Sequence, residues 1–285
     1  MTNPKHVLDH HKITPKKGLG QNFIHDPNVL EKIATLAELM PDDTVLEIGP
    51  GTGALTEHIA PHVRQVIGVE IDERLIPVLE ARFAHVPNVR FLHQDILETH
   101  LRETVPPGYV VVANLPYYIT SAILRHLLEN PPQARRLILT VQLEVAERLI
   151  AKPGEMSLLS VSVQYYAKAR IVMRINKAVF YPRPDVDSAV VRLDPHLSPP
   201  VDVPNDAIFF RVVRAGFAQK RKQLKNTIGD GLSIGHEQAG DVITAAGIDP
   251  KRRAETLSLE EWAALARAFH EAAQQTNQPV APQLE

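Results

Sequence analysis

Asn114-Leu115-Pro116-Tyr117 combines residue types that can act on an amine attached to an aromatic ring. Such an amine, adenine's for example, is a poor nucleophile because its lone pair is delocalised into the ring. The Asn114 amide oxygen and a backbone carbonyl, of Leu115 or Pro116, can each accept one of its N–H bonds. That holds the nitrogen and helps it become tetrahedral. Pro116 stiffens the turn, and Tyr117 offers a ring face for a base to stack on. No general base of shifted pKa is needed. A second set of residues lies upstream. Gly49, Gly51 and Gly53 alternate directly after the apolar run Val45, Leu46, Ile48. Glycine permits positive φ and lets the backbone approach a ligand closely. About twenty residues on, Glu70 ends another apolar run, the place where an acid grips ribose hydroxyls. Asp95 follows a third such run and can accept from an adenine amino group.

The elements that must carry these residues follow from the periodicity. Apolar runs at 45–48, 66–69, 89–92, 109–113 and 137–141 read as strands, and helical patterns separate them. Asp26 with Pro27 opens one helix as N-cap and first residue. Asp72 is placed to cap another running to about residue 84. Further helices are expected at 121–129, 144–149 and 157–166, with two closing strands at 169–175 and 189–193. Alternating strands and helices imply a largely parallel sheet, whose ligands bind at the carboxyl ends of the strands. Gly49, Glu70, Asp95 and Asn114 therefore converge on one edge. Pro195, Pro199, Pro200 and Pro204 mark a linker, and beyond it every pattern is helical. The expected organisation is a flexible basic arm at 1–20, an α/β domain at 21–197, a helical domain at 205–276 and a tail at 277–285.

Composition narrows the class. The 285 residues are 44% hydrophobic with net charge −2, and there is no cysteine. That excludes disulfides, Cys-zinc sites and a thiol nucleophile, and fits a reducing cytoplasm. No metal site is expected. No run has the length of a membrane span, and the N-terminus lacks the apolar core of a secretory signal. The loop Gly49-Pro50-Gly51-Thr52-Gly53-Ala54 satisfies the loose dinucleotide pattern, so it alone leaves NAD open. Glu47, two residues before the first glycine, favours S-adenosylmethionine (SAM), because SAM methyltransferases show E-x-G-x-G-x-G here.

The motifs taken together, GQNF at 20–23, EIGPGTGALT at 47–56, VEID at 69–72, QDIL at 94–97, NLPYYIT at 114–120 and FYPRPDVDSAV at 180–190, resemble the ribosomal RNA adenine N6,N6-dimethyltransferases. Within that family the small-subunit (16S) branch is the nearer match. The resemblance implies a Rossmann-like SAM-dependent methyltransferase sheet, mostly parallel with one antiparallel strand, plus a small all-helical C-terminal domain. It implies that SAM is bound by Asn22, Ile24, Gly49, Glu70, Asp95 and Asn114. Ile24 stands where the family usually shows leucine. Gly51, Ile71 and Ile96 join the cofactor set as their neighbours in sequence. The implied reaction methylates two adjacent adenines near the 3′ end of small-subunit rRNA twice each, within an assembling 30S particle, and releases S-adenosylhomocysteine. A cytoplasmic monomer is expected.

Phe180 is expected to face Tyr117 across an extruded base, with Tyr181 as the alternative ring. Basic surface is local. Arg211, Arg214, Lys220, Arg221, Lys222 and Lys225 fall in a stretch free of Asp and Glu, and so do Lys168, Arg170, Arg174, Lys177 and Arg183. Arg183, Arg221, Lys222 and Lys225 are the expected RNA contacts, in a basic groove between the two domains. Trp262 is expected to pack between C-terminal helices. Two rivals share the motifs. One is the antibiotic-resistance relative acting on large-subunit rRNA, and the other is a non-catalytic RNA-binding assembly factor. An NAD oxidoreductase is a weaker third, because the motif region has no acid/base pair.

Overall fold

The computed structural model describes residues 3–276, so the tail expected at 277–285 lies outside the described residues. In chain order the elements of the first part are α1 (Pro4–His10), β1 (Phe23–Ile24), α2 (Pro27–Leu36), β2 (Thr44–Ile48), α3 (Ala54–Ile59), β3 (Gln65–Glu70) and α4 (Ile76–Phe83). Next come β4 (Val89–His93), α5 (Leu101–Thr104), β5 (Val110–Asn114), α6 (Thr120–Glu129), β6 (Arg136–Gln142) and α7 (Leu143–Leu149). They are followed by α8 (Leu158–Tyr166), β7 (Ala167–Ile175), β8 (Phe180–Tyr181) and β9 (Ser188–Pro195). The remaining helices are α9 (Asp206–Phe217), α10 (Leu224–Leu232), α11 (His236–Ala245) and α12 (Leu259–Thr276).

The chain divides into two compact units, residues 1–150 with 166–196 and residues 151–165 with 197–285. The first is built on a seven-stranded sheet of order β4-β3-β2-β5-β6-β9-β7. β2 to β6 are mutually parallel, and β9 runs antiparallel between β6 and β7. This is the expected doubly wound sheet with its one reversed strand. β2 is buried at all five positions and β5 at the first four, as strands covered on both faces must be. Asp26 caps α2 as expected, accepting from the Asn28 and Val29 N–H groups.

Two local expectations are corrected, and one small sheet was not foreseen. The segment 1–20 is not a free arm throughout. Asn3 caps α1, Pro4 sits in its first turn, and Pro4, Val7 and Leu8 are buried. Their spacing places all three on one helix face. Asp72 does not cap α4: its carboxylate is taken by Arg74 and Gln21, and the helix starts at Ile76. The two-stranded sheet of β1 and β8 pairs Phe23 with Tyr181 and Ile24 with Phe180. It went unforeseen because strands of two residues carry no periodicity.

The second unit is helical. Tyr165 of α8 stacks on Phe209 of α9 with ring centroids 4.6 Å apart, and Phe210 meets it edge-on at 5.2 Å. Residues 151–165 therefore group with the C-terminal helices rather than with the stretch 21–197 in which they were placed. Trp262 is fully buried against Phe217, and it leaves no room for a Cβ on Gly216, the nearest ring atom being 2.3 Å away.

Candidate cofactor and base site

A cleft opens at the carboxyl edge of β2, β3, β4 and β5. Asn22, Gly49, Gly51, Glu70, Ile71, Asp95, Ile96 and Asn114 all line it. Eight of the nine residues expected to hold the cofactor thus meet in one place, although they are spread from 22 to 114 in sequence. Leu19, Gly20, Gln21, Phe23, Tyr118, Ile119 and Ile123 line it as well, with Ile48 and Pro116 from the motifs already named. Sequence reasoning missed the first seven. The apolar ones had the spacing of ordinary core, and nothing local showed that the 19–23 segment folds over the sheet edge.

The glycine loop has the conformation its spacing implies. Gly49, Gly51 and Gly53 have φ of 66°, 61° and 79°. At Gly51 a Cβ would lie 2.7 Å from the Phe23 ring, so both backbone and space demand glycine. Glu70 is 4% exposed. One of its oxygens accepts from Gly51 N at 3.0 Å and the other from Asp72 N at 3.0 Å. Burial pushes its carboxyl above the ordinary value, and those two backbone bonds oppose the shift. A carboxylate offers about four acceptor sites, so Glu70 keeps acceptor capacity toward the cleft it lines. Asp95 caps the turn at Ile96–Glu98, with one oxygen accepting from Leu97 N at 2.8 Å. No donor among the described residues reaches its other oxygen, and the residue lines the cleft. Ile71, Ile96, Ile119 and Ile123 give the cleft the apolar surface a purine needs.

Beneath the loop, Glu47 is 1% exposed and accepts from the Thr56 hydroxyl at 2.6 Å. Burial raises its carboxyl to about 7, with Glu70 nearby adding to the shift. It lines a smaller adjoining cavity with Ile24, Thr52 and Asn114. Ile24, the ninth expected cofactor residue, is 4% exposed and belongs to the core, outside the main cleft.

The Asn-Leu-Pro-Tyr turn is held firmly. The Asn114 amide nitrogen donates to the Asn22 carbonyl at 2.7 Å, which leaves its oxygen as the acceptor. The Pro116 carbonyl accepts from the Thr120 hydroxyl at 3.0 Å. Among the described residues no donor meets the Leu115 carbonyl, so of the two carbonyls considered it is the one available. The Tyr117 hydroxyl is hydrogen-bonded to Ser188 Oγ at 2.9 Å, which fixes the half-buried ring. Phe180 does not join it: it is 3% exposed, in a core with Ile24, Leu30 and Val190. In a strand neighbouring side chains alternate, so Tyr181 faces the other way, half-buried with Lys5 Nζ 5.7 Å from its ring centre.

Of the basic residues, Arg183, Arg221 and Lys222 are exposed and Lys225 is half-buried. The first acid-free stretch keeps its charge: no ion pair forms at Arg211, Arg214, Lys220, Arg221, Lys222 or Lys225 with any described residue. The second is partly neutralised, since Arg170 pairs with Asp194 and Arg174 with Glu147.

A parallel sheet with one reversed strand, a glycine loop after β2 and an acid closing β3 form a cleft for a nucleoside cofactor, the layout of a SAM-dependent methyltransferase. A family model described as ribosomal RNA adenine dimethylase matches residues 13–271, so the chain belongs to that family. The protein of Geobacillus sp. (strain WCH70) named ribosomal RNA small subunit methyltransferase A is 44% identical over 276 residues, covering 93% of this chain and 95% of the relative. A protein of the same name from Dehalococcoides mccartyi (strain CBDB1) is 44% identical over 266 residues, covering 92% and 91%. Among solved structures, a dimethyladenosine transferase from Plasmodium falciparum superposes with TM-score 0.74 at 27% identity, covering 87% of this chain and 97% of that one. The 23S rRNA methyltransferase ErmE superposes with TM-score 0.69 at 28% identity, covering 87% and 99%.

Proposed function

We propose that the protein dimethylates N6 of two adjacent adenines near the 3′ end of small-subunit rRNA, acting as a cytoplasmic monomer on an assembling 30S particle. SAM when bound supplies an electrophilic methyl group on a sulfonium. Everything else falls to the chain. In the first transfer Asn114 Oδ1 accepts one N–H of the target amine and the Leu115 carbonyl accepts the other; in the second, the single N–H left is held by one of them, and each transfer gives up one proton to solvent. These bonds strengthen as the nitrogen loses conjugation and gains positive charge, so they favour the transition state over the ground state. Tyr117, its hydroxyl tied to Ser188, supplies a fixed ring for the extruded base. With Phe180 in the core, the second ring of the sandwich is absent from the proposal. Arg221, Lys222 and Lys225 of the helical unit, and the exposed Arg183 just after β8, neutralise phosphates.

The observation that carries this reading is the fixed amide of Asn114, whose nitrogen is engaged and whose oxygen is therefore the acceptor. The small-subunit preference is supported by relatives of that name at 44% identity, against 28% for the large-subunit enzyme. Single-turnover methylation of 30S and 50S particles at saturating SAM tests both points. The wild type is expected to modify 30S, and Asn114→Ala to be slower by ~10²–10³, the usual effect of losing one preorganised polar group. Wild-type rate in Asn114→Ala would sink the mechanism, and preference for 50S would favour the large-subunit alternative.

A further inference from the structure

The Asp72 side chain is fully buried, yet it lies beyond the end of β3 and belongs to no strand or helix. It collects more donors than a turn requires. Arg74 engages it in a fork, Nε to Oδ1 at 2.8 Å and Nη2 to Oδ2 at 2.6 Å. Gln21, 51 residues away, donates its amide to Oδ2 at 2.9 Å, and Lys16 Nζ lies 3.7 Å from Oδ1. The donors bind the preceding segment in turn. Arg74 Nη1 donates to the Thr14 carbonyl at 3.2 Å, and the Gln21 side-chain oxygen accepts from Lys16 N at 2.8 Å. One carboxylate therefore fastens residues 14–21 to the end of β3.

That segment leads directly into a wall of the cleft, since Leu19, Gly20, Gln21, Asn22 and Phe23 line it. The bonds run in one series along the opening. Gly51 N and Asp72 N donate to Glu70, Gln21 donates to Asp72, and Asn114 donates to the carbonyl of Asn22, next to Gln21 in the chain. We infer that Asp72 is a positioning residue: it latches the 14–22 segment over the cofactor cleft and so fixes both Asn22 and the amide orientation of Asn114. Arg–carboxylate forks are among the stronger polar contacts in proteins, and the carboxylate side of this one is buried. Asp72 itself lines no part of the cleft, so its influence on ligand reaches it through the segment it holds.

The inference rests on the cleft being the cofactor site, and the test separates the two. Asp72→Asn puts an amide nitrogen among donors, so at least one of them loses its acceptor. In the free protein, amide hydrogen exchange across residues 14–22 is expected to speed up by about tenfold while the core strands keep wild-type protection. Dissociation of S-adenosylhomocysteine, followed by stopped-flow, is expected to speed up by about the same factor. Unchanged exchange across 14–22 overturns the latch. So does faster dissociation without faster exchange, because Asp72 would then act through Glu70 alone. If Asp72→Asn fails to fold, Arg74→Ala is read by the same two measurements, since it removes the fork and the bond to Thr14. A wild-type protein that binds no S-adenosylhomocysteine refutes the cofactor site, and the exchange comparison still decides the latch.

Discussion

Glu70 gives the sharpest test of the cofactor cleft, because both its oxygens already have partners in the free protein. Gly51 N and Asp72 N each donate to it at 3.0 Å, one per oxygen. Glu70→Ala removes the acceptor for the ribose hydroxyls, and the loss of charge-assisted bonds is expected to weaken binding by ~1–3 kcal/mol, about 5- to 150-fold. Glu70→Gln looks silent and is expected not to be. Its amide carries a single oxygen, so whichever way it turns, its NH₂ faces either the Gly51 or the Asp72 N–H. One buried backbone donor is then left unpaired, which costs about 1–3 kcal/mol in the free protein. The ribose meets one acceptor group where there had been two. Glutamine should therefore bind more weakly than wild type, though no more weakly than alanine, and melt below wild type. Calorimetric titration with S-adenosylhomocysteine and a thermal scan of each variant measure both quantities. Glutamine within twofold of wild-type affinity would refute the reasoning, since the two backbone bonds could not then constrain the side chain.

Two further outcomes follow from the buried charges and the exposed ones. Glu47 holds its proton in the folded chain to about pH 7, against an ordinary value of 4.5. Between those values the folded state binds more protons than the unfolded state, so stability falls as pH rises, by up to about 3 kcal/mol. Glu47→Gln is expected to flatten that slope and to be the more stable protein at pH 8, and urea unfolding at pH 5 and pH 8 that gives parallel profiles would contradict it. Replacing Arg221 and Lys222 with alanine is expected to weaken rRNA binding and reduce its salt slope by somewhat under one per lost phosphate contact, with SAM affinity unchanged. An equal slope in a salt titration would make the two residues a solvated face.

The sheet and the cleft were readable because their signals are local. Each strand of the parallel core is a mostly apolar run, and each of Gly49, Glu70, Asp95 and Asn114 sits at or just past the end of such a run, where the fold gathers ligands. What failed depended on partners distant in sequence or on parity. Phe180 and Tyr181 are equivalent as sequence. Their inward and outward sides are set by pairing with Ile24 and Phe23, more than 150 residues away. Asp72 looked like an N-cap because its type and position suit one, and only Gln21 and Arg74 decide otherwise. The fold of residues 4–10 rests on three apolar side chains, too few to stand out among the histidines and lysines around them.

The grouping of residues 151–165 with the C-terminal helices changes what can be cut away. The backbone leaves the sheet unit after Ile150, returns at Tyr166 and leaves again after His196. A cleavage in the proline-rich stretch therefore does not release the helical unit, because α8 stays behind with the sheet. Such a fragment would carry Leu159, Val161, Val163 and Tyr165 without the Phe209 and Phe210 rings that Tyr165 packs on. The natural unit of exchange between relatives is thus a pair of inserts spliced together, and a chimera joined at a single point near residue 197 mismatches α8 to its new partner.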